Sequence, residues 1–335
     1  MGVDVIERPA LDGARGEKTD GAFAGFVRAG TTLEMKAFTG VSGDAGGYAV
    51  PREIDATISR VLTGLSPIRS IAQVVKVGSA GYRKLITTGG TPSGWAAETA
   101  ARPETASPVF AELVPPMGEL YANPSASQAM LDDAAFDVEE WLAGEIAAEF
   151  AKAEGAAFVG GNGVNRPKGF LSGPVSTAKD GTRALGTLQY LPSGAASDFG
   201  AAPDERLLDL VHSLRAPYRQ GACFVMNSAT LARIRKFKSN DGMPLWQPSL
   251  AAGQPATLLG YPVVEAEDMP DIAANALGIA FGNFTAGYLI AERAETAILR
   301  DPYSNKPFVG FYATKRIGGC VADSEAIKLM KFATA

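Results

Sequence analysis

Three side chains could serve as nucleophile or proton shuttle: His212, Cys223 and Cys320. A single histidine cannot build a zinc site of the H-E-x-x-H kind. The two cysteines are far apart and lack the C-x-x-C spacing of a metal ribbon or redox pair. Either thiol paired with His212 would be a nucleophilic arrangement, but both sit in apolar or glycine-flanked strand contexts, where cysteine behaves as a small hydrophobe. No G-x-S-x-G elbow occurs. The carboxylate pairs Glu139/Glu140 and Glu265/Glu267 have the residue type for acid–base work, but nothing in the sequence converges on them. Glycine clusters could cradle phosphate, yet Gly160-Gly161-Asn162-Gly163 follows a helix instead of opening one. Gly40 to Gly47 lacks the Lys-Ser/Thr pair of a P-loop. The basic run Arg233-Ile234-Arg235-Lys236-Phe237-Lys238 reads as a helix end meeting its own dipole, with DNA or subunit contact as the alternative. No catalytic residue, cofactor or metal is expected.

The elements that would position these residues alternate in type. Residues 1 to about 47 are rich in Gly, Ala and Asp and read as an arm. Ile54, Ile58, Val61, Leu62 and Leu65 recur at helical spacing after Pro51, and Ser66-Pro67 stops that helix. From Ile71 to about Tyr121, strand-like stretches such as 73–77 and 84–87 are broken by many Gly and Pro, the pattern of a long β-excursion. Asp132 or Asp133 caps the most regular helix, whose stripe runs Leu131, Ala135, Val138, Leu142, Ile146 and Phe150. Between Asp132 and Glu154 eight acids face Lys152 alone, either a solvated face or a docking surface. A polar stretch with one or two weak strands reaches residue 203. An α/β alternation follows: a helix from Pro203 with Leu207, Leu208, Val211 and Leu214, a strand at 223–226, and a helix from Ala229 to Phe237 capped by Asn227-Ser228. Further strands are expected around 262–264, 278–281, 287–290, 296–299, 309–312 and 326–329.

The chain of 335 residues, 46% hydrophobic with a formal charge of −5 and a pI near 5.2, has ample material for a core. It lacks the basic footprint of a protein that grips duplex DNA. The uncharged run from Ile272 to Ala291 contains Asn275, Asn283 and three glycines, and reads as two buried strands around a turn instead of a membrane span. The acidic start Met1 to Arg8 has no secretory signal pattern, so the product is expected to stay in the cytoplasm.

In order, the segments resemble the major capsid proteins of tailed bacteriophages with the Hong Kong 97 fold, gene transfer agent capsids included. The resemblance rests on Gly-Gly-Tyr48-Ala49-Val50-Pro51, Ser66-Pro67-Ile68-Arg69, Gly94-Trp95-Ala96-Ala97-Glu98 and Met130-Leu131-Asp132-Asp133. It continues through Gly161-Asn162-Gly163 with Pro167-Lys168-Gly169-Phe170, and Phe281-Gly282-Asn283-Phe284-Thr285-Ala286-Gly287-Tyr288. It implies an α+β fold with an N-terminal arm (1–50), a short peripheral-domain helix (51–70), and an extended β-hairpin E-loop (71–121). A peripheral domain (122–203) would follow, its spine helix at 132–157, then an axial domain (204–282), returning peripheral strands (283–319) and an axial return (320–335).

The implied function is self-assembly into hexamers and pentamers of an icosahedral-type shell that encloses DNA, in a phage virion or gene transfer agent head. Assembly would take place in a bacterial host cytoplasm, with portal, scaffolding protein or maturation protease, and head-completion proteins as partners. Some relatives weld subunits through an E-loop lysine, an asparagine and a glutamate. Here Arg102 stands at the lysine position, and guanidinium is a poor nucleophile. No carboxylate lies between Phe308 and Val321, so a non-covalent shell is expected. Resemblance and charge pattern together nominate Arg83, Lys84, Trp95, Glu98, Arg102, Asp132, Asp133, Glu139, Glu140 and Glu145 as inter-subunit contacts. An encapsulin-like compartment and a soluble hydrolase are the competing readings.

Overall fold

The computed structural model describes residues 66–78, 81–87, 93–100, 102, 104–127, 138–238, 257–293 and 296–334. The arm and helix read at 1–65, and the helix start with Asp132 and Asp133, lie outside the described residues.

A six-stranded sheet is built around one long strand, β14 (Phe308–Val321). Along one edge β14 pairs antiparallel with β12 (Tyr288–Arg293) and β13 (Ala297–Asp301). Along the other it pairs with β4 (Met117–Ala122) and β5 (Ser125–Ser127). β1 (Gln73–Val77), entered from the short helix α1 (Pro67–Ile71), runs parallel to β12. Side chains of β14 alternate as a half-buried strand requires. Val309, Phe311, Ala313, Lys315 and Ile317 turn inward, while Phe308, Tyr312 and Arg316 face out.

Helix α2 (Val138–Gly160) covers the inward face. Its Leu142, Ile146 and Phe150 are buried against Val309, Phe311 and Ala313, each such burial contributing roughly 1.5–3 kcal/mol. This is the stripe expected from the sequence, continued to Gly160 instead of ending near 157. Gly155 inside it allows a close approach, because a Cβ there would lie 2.3 Å from Asp268 Oδ2.

A seven-stranded mixed sheet has the order β6-β7-β15-β11-β8-β10-β9. The strands are β6 (Val175–Ser176), β7 (Leu188–Pro192), β8 (Cys223–Met226), β9 (Thr257–Leu258), β10 (Tyr261–Glu265), β11 (Ile279–Gly282) and β15 (Ile327–Lys331). Helix α3 (Pro203–Ser213) starts with proline in its first turn and Asp204 and Glu205 facing the dipole. The short α4 (Ala216–Arg219) follows it. Asn227 caps α5 (Ser228–Arg235), its side chain accepting from the Thr230 N–H at 2.8 Å. Leu207, Leu210, Val211, Leu231 and Ile234 of α3 and α5 share a core with Phe224, Phe281 and Phe332. Strand β8 is buried throughout, as a strand covered on both faces must be.

The two sheets are joined by the chain passing from β11 through the one-turn helix α6 (Phe284–Gly287) into β12. Here the sequence motifs meet. A Cβ at Gly282 would lie 2.1 Å from the Ala326 carbonyl oxygen, and one at Gly169 2.4 Å from that of Val159, so close backbone approach demands glycine. Tyr288 donates to the Lys168 carbonyl at 2.9 Å, and Phe170 meets Phe284 edge-on with centroids 5.4 Å apart. Asn283 donates to the Gln220 carbonyl and Thr285 to that of Ile71, both at 2.9 Å.

The excursion is shorter than the sequence suggested. Strands β1 and β4, at its two ends, belong to the six-stranded sheet, and only β2 (Lys84–Thr87) and β3 (Phe110–Leu113) pair by themselves as an arm. Similarly β6 and β7, read as weak strands before residue 203, enter the seven-stranded sheet, β7 lying parallel to the late strand β15. Period-2 alternation identifies a strand but carries no information about its partner.

Candidate assembly surfaces and the charge network beneath them

One face of the arm carries exposed apolar side chains beside Thr87 and Glu112. Leu85 and Phe110 are 71% and 64% exposed, and Trp95, in the stretch between the two strands, is wholly exposed. Glu98 and Arg102 are also exposed. Arg83 pairs with Glu112 across the arm at 2.9 Å, and Lys84 donates to Gln73 at 3.2 Å. Arg83 and Lys84 thus both have partners within their own chain. Glu139 and Glu140 fall in the first turn of α2 as described, and Glu145 is exposed further along.

The acidic helix is not a uniform solvated face. Glu154, the last of the eight acids counted from Asp132 in the sequence, is 1% exposed. Its Oε1 accepts a 2.8 Å bond from Lys315 Nζ, and Arg69 Nε stands 3.8 Å from its Oε2. Arg69 also grips Glu292, with Nη1 at 2.7 Å from Oε2, and Lys315 lies 3.7 Å from the same oxygen. Two cations and two carboxylates from α1, α2, β12 and β14 therefore neutralise one another inside the packing. Buried charges persist only when paired in this way. Sequence reasoning missed this quartet, although its signal was present. Glu154 continues the stripe Leu142, Ile146, Phe150 at four-residue spacing, and Lys315 falls on the inward register of β14.

A second network lies at the seven-stranded sheet. Lys328 is fully buried and donates to Asp180, which also holds Arg183. Arg215 bridges Asp180 and Glu325, at 3.6 and 2.8 Å. Burial pushes the Lys328 ammonium below the usual lysine range, with Asp180 opposing that shift. Tyr218 donates to Asp323 at 2.5 Å, a bond that together with burial raises the phenol to about 12.

Cys223 and Cys320 are buried, and desolvation pushes their thiols up to about 12 and about 11. Both are thus poor nucleophiles at neutral pH. His212 is exposed on α3. Among the described residues no group of three His, Cys, Asp or Glu side chains is placed to hold a metal, and no helix is long and apolar enough to cross a membrane. The run from Ile272 to Ala291 contains β11, α6 and most of β12.

The pattern of the phage capsid family matches residues 46–332. The chain belongs to the phage capsid family. Among solved structures, the capsid of a native gene transfer agent particle is similar at 48% identity and a TM-score of 0.74, covering 90% of this chain and 99% of that one. The capsid of the empty particle is similar at 46% identity and a TM-score of 0.75, over 90% and 98% of the two chains. The Gordonia phage Cozz structure shares the fold at 14% identity, TM-score 0.56, over 80% of this chain and 86% of that one. No curated protein matches. As a phage capsid family member with the Hong Kong 97 type fold, the chain is a major capsid protein, and its work is self-association. The junction motifs have a structural role in this setting: they hold the two sheets together.

Proposed function

We propose that copies of this capsid protein close, as hexamers and pentamers, into an icosahedral-type shell that encloses DNA, each subunit laying its arm across a neighbour. The observation that carries this reading is the arm, on which Leu85, Trp95 and Phe110 are exposed. A surface of that kind marks an interface. Identity of 46–48% to gene transfer agent capsids favours a head of that type over a phage virion. In this scheme α2 with the six-stranded sheet is the peripheral domain, the seven-stranded sheet is the axial domain, and residues 1–50 are the reaching arm. Portal, scaffolding or protease, and head-completion proteins would join the subunits in a bacterial cytoplasm.

The shell is held without covalent welds, because Arg102 replaces the nucleophilic lysine and β14 carries no carboxylate along its length. With Arg83 held by Glu112, the exposed Arg102 is the arm cation best placed to meet the acids Asp132, Asp133, Glu139, Glu140 and Glu145 of an adjacent chain. The negative balance of the subunit keeps packaged DNA from adhering to the wall.

The test is negative-stain imaging of particles from the expressed chain, with nuclease-protected nucleic acid measured alongside. Closed shells enclosing DNA are expected when the head is made in its host. Shells loaded with protein cargo would point instead to an encapsulin-like compartment, and chains that remain monomeric would refute the capsid reading.

A further inference from the structure

A cavity of about 240 Å³ opens between α2, β4, β14 and the turn at 165–167. Its apolar wall is made by Leu120, Ala153, Ala157, Pro167 and Ile317. The turn rests directly on β4, since a Cβ at Gly118 would lie 2.4 Å from the Asn165 carbonyl oxygen, and Asn165 itself has φ of 52°. The walls are therefore preformed. Two polar groups stand out in the lining. Arg166 is exposed at the rim. Glu119 also lines the cavity and is exposed, its Oε2 accepting from Arg316 at 2.9 Å.

We propose that this cavity receives the Trp95 side chain of a second copy of the chain. The inference rests on the capsid reading above and names the anchor by which one subunit's arm grips the next. Size fits: a cavity of ~150 Å³ already holds a benzene ring, so this one has room for an indole. Chemistry fits as well. An indole N–H is a donor with no acceptor function, suited to the exposed Glu119 carboxylate of the lining. An arginine at the rim favours the face of an aromatic ring. Among the described residues Trp95 has the most completely exposed large apolar side chain, so burial in its own chain does not compete for it. Tryptophans seated in preformed pockets are the residues on which protein interfaces most often depend. The site is repeated at every subunit contact of a closed shell, so a modest anchor is multiplied.

The test is a double-mutant cycle on the full-length chain, reading by light scattering the concentration at which particles form. Trp95→Ala removes the anchor, and Ala153→Leu fills its pocket from the exposed side. Both positions are exposed in the subunit, so the thermal transition of the unassembled chain should not move, and that is measured as the folding control. Each single change is expected to raise the required concentration at least tenfold, and the double variant no further than the worse single one. Trp95→Phe, which keeps a ring but loses the N–H, should fall between wild type and Trp95→Ala. Assembly of Trp95→Ala at wild-type concentrations would overturn the proposal, as would losses that multiply in the double variant. Impairment by Ala153→Leu alone would assign the cavity to another segment and overturn it too. Wild-type chains that form no particle at all would bring down the capsid reading along with it.

Discussion

Lys315 donates a 2.8 Å hydrogen bond to Glu154 Oε1 between β14 and α2, where neither side chain is more than 5% exposed. Removing one partner strands the other charge in the packing. Lys315→Met or Glu154→Leu alone should therefore destabilise the subunit by about 3–5 kcal/mol. Because Glu292 and Arg69 still balance each other, the double variant should recover much of that loss. Urea denaturation of the unassembled chain measures all three, and a double variant whose loss equals the sum of the two single losses would show that the pair is not coupled.

Gly144 and Gly155 lie in the same helix and predict opposite outcomes. Nothing stands within 4 Å of a Cβ at Gly144. Gly144→Ala should stabilise the subunit by about 0.5–1 kcal/mol through the entropy of the unfolded chain. At Gly155 the added methyl would meet the Asp268 carboxylate, and Gly155→Ala should lower the midpoint of thermal unfolding.

Asp268 has its carboxyl raised, chiefly by burial and further by Glu267. A folded-state value above the unfolded one means that the folded chain binds this proton more tightly. Its contribution to stability thus grows as pH falls through the folded value and becomes a cost at neutral pH. Asp268→Asn should raise stability at pH 7 and make little difference in acid. Asp198 is lowered, first by the hydrogen bond from Arg233, so its contribution has the opposite sense: present above the unfolded value, and lost as pH falls. Thermal melts of Asp268→Asn and Arg233→Ala across pH 3–8 would separate the two signs.

Both thiols should resist an aromatic disulfide reagent at pH 8 in the native chain and react together once denaturant unfolds it. Fast labelling of either cysteine without denaturant would contradict their burial and raised thiol values.

Reversing the charges of Arg83 and Lys84 should leave the folded subunit within about 1 kcal/mol of wild type, as expected for exposed pairs. The salt dependence of assembly decides whether they also face a neighbour. If Glu112 and Gln73 are their sole partners, particle formation by the reversed variant will follow the wild-type ionic-strength curve.

Much of the fold was legible because it depends on period and punctuation. Leu142, Ile146 and Phe150 announce a helix face, Asn227 before Ser228 announces a helix start, and the glycines of 281–288 mark a backbone crossing. What was not legible is long-range pairing. Nothing local in Gln73–Val77 says that its neighbour is Leu289 to Arg293, more than two hundred residues later. The assembly surface was legible only in part. An exposed Trp95 follows from a glycine- and proline-rich arm with no core to join. The buried role of Glu154 was obscured by counting acids along α2 without asking which of them lay on the apolar stripe.

The position of β15 sets the timing of folding. Residues 327–331 lie between β7 and β11 in the interior of the seven-stranded sheet, so that sheet stays open as two unjoined halves until the ribosome has passed Lys331. A nascent chain emerging beside its siblings cannot complete the surfaces that recognise them, and a product of premature termination has no finished body with which to poison a growing lattice. Strand order thus makes competence to assemble wait for residues 327–331.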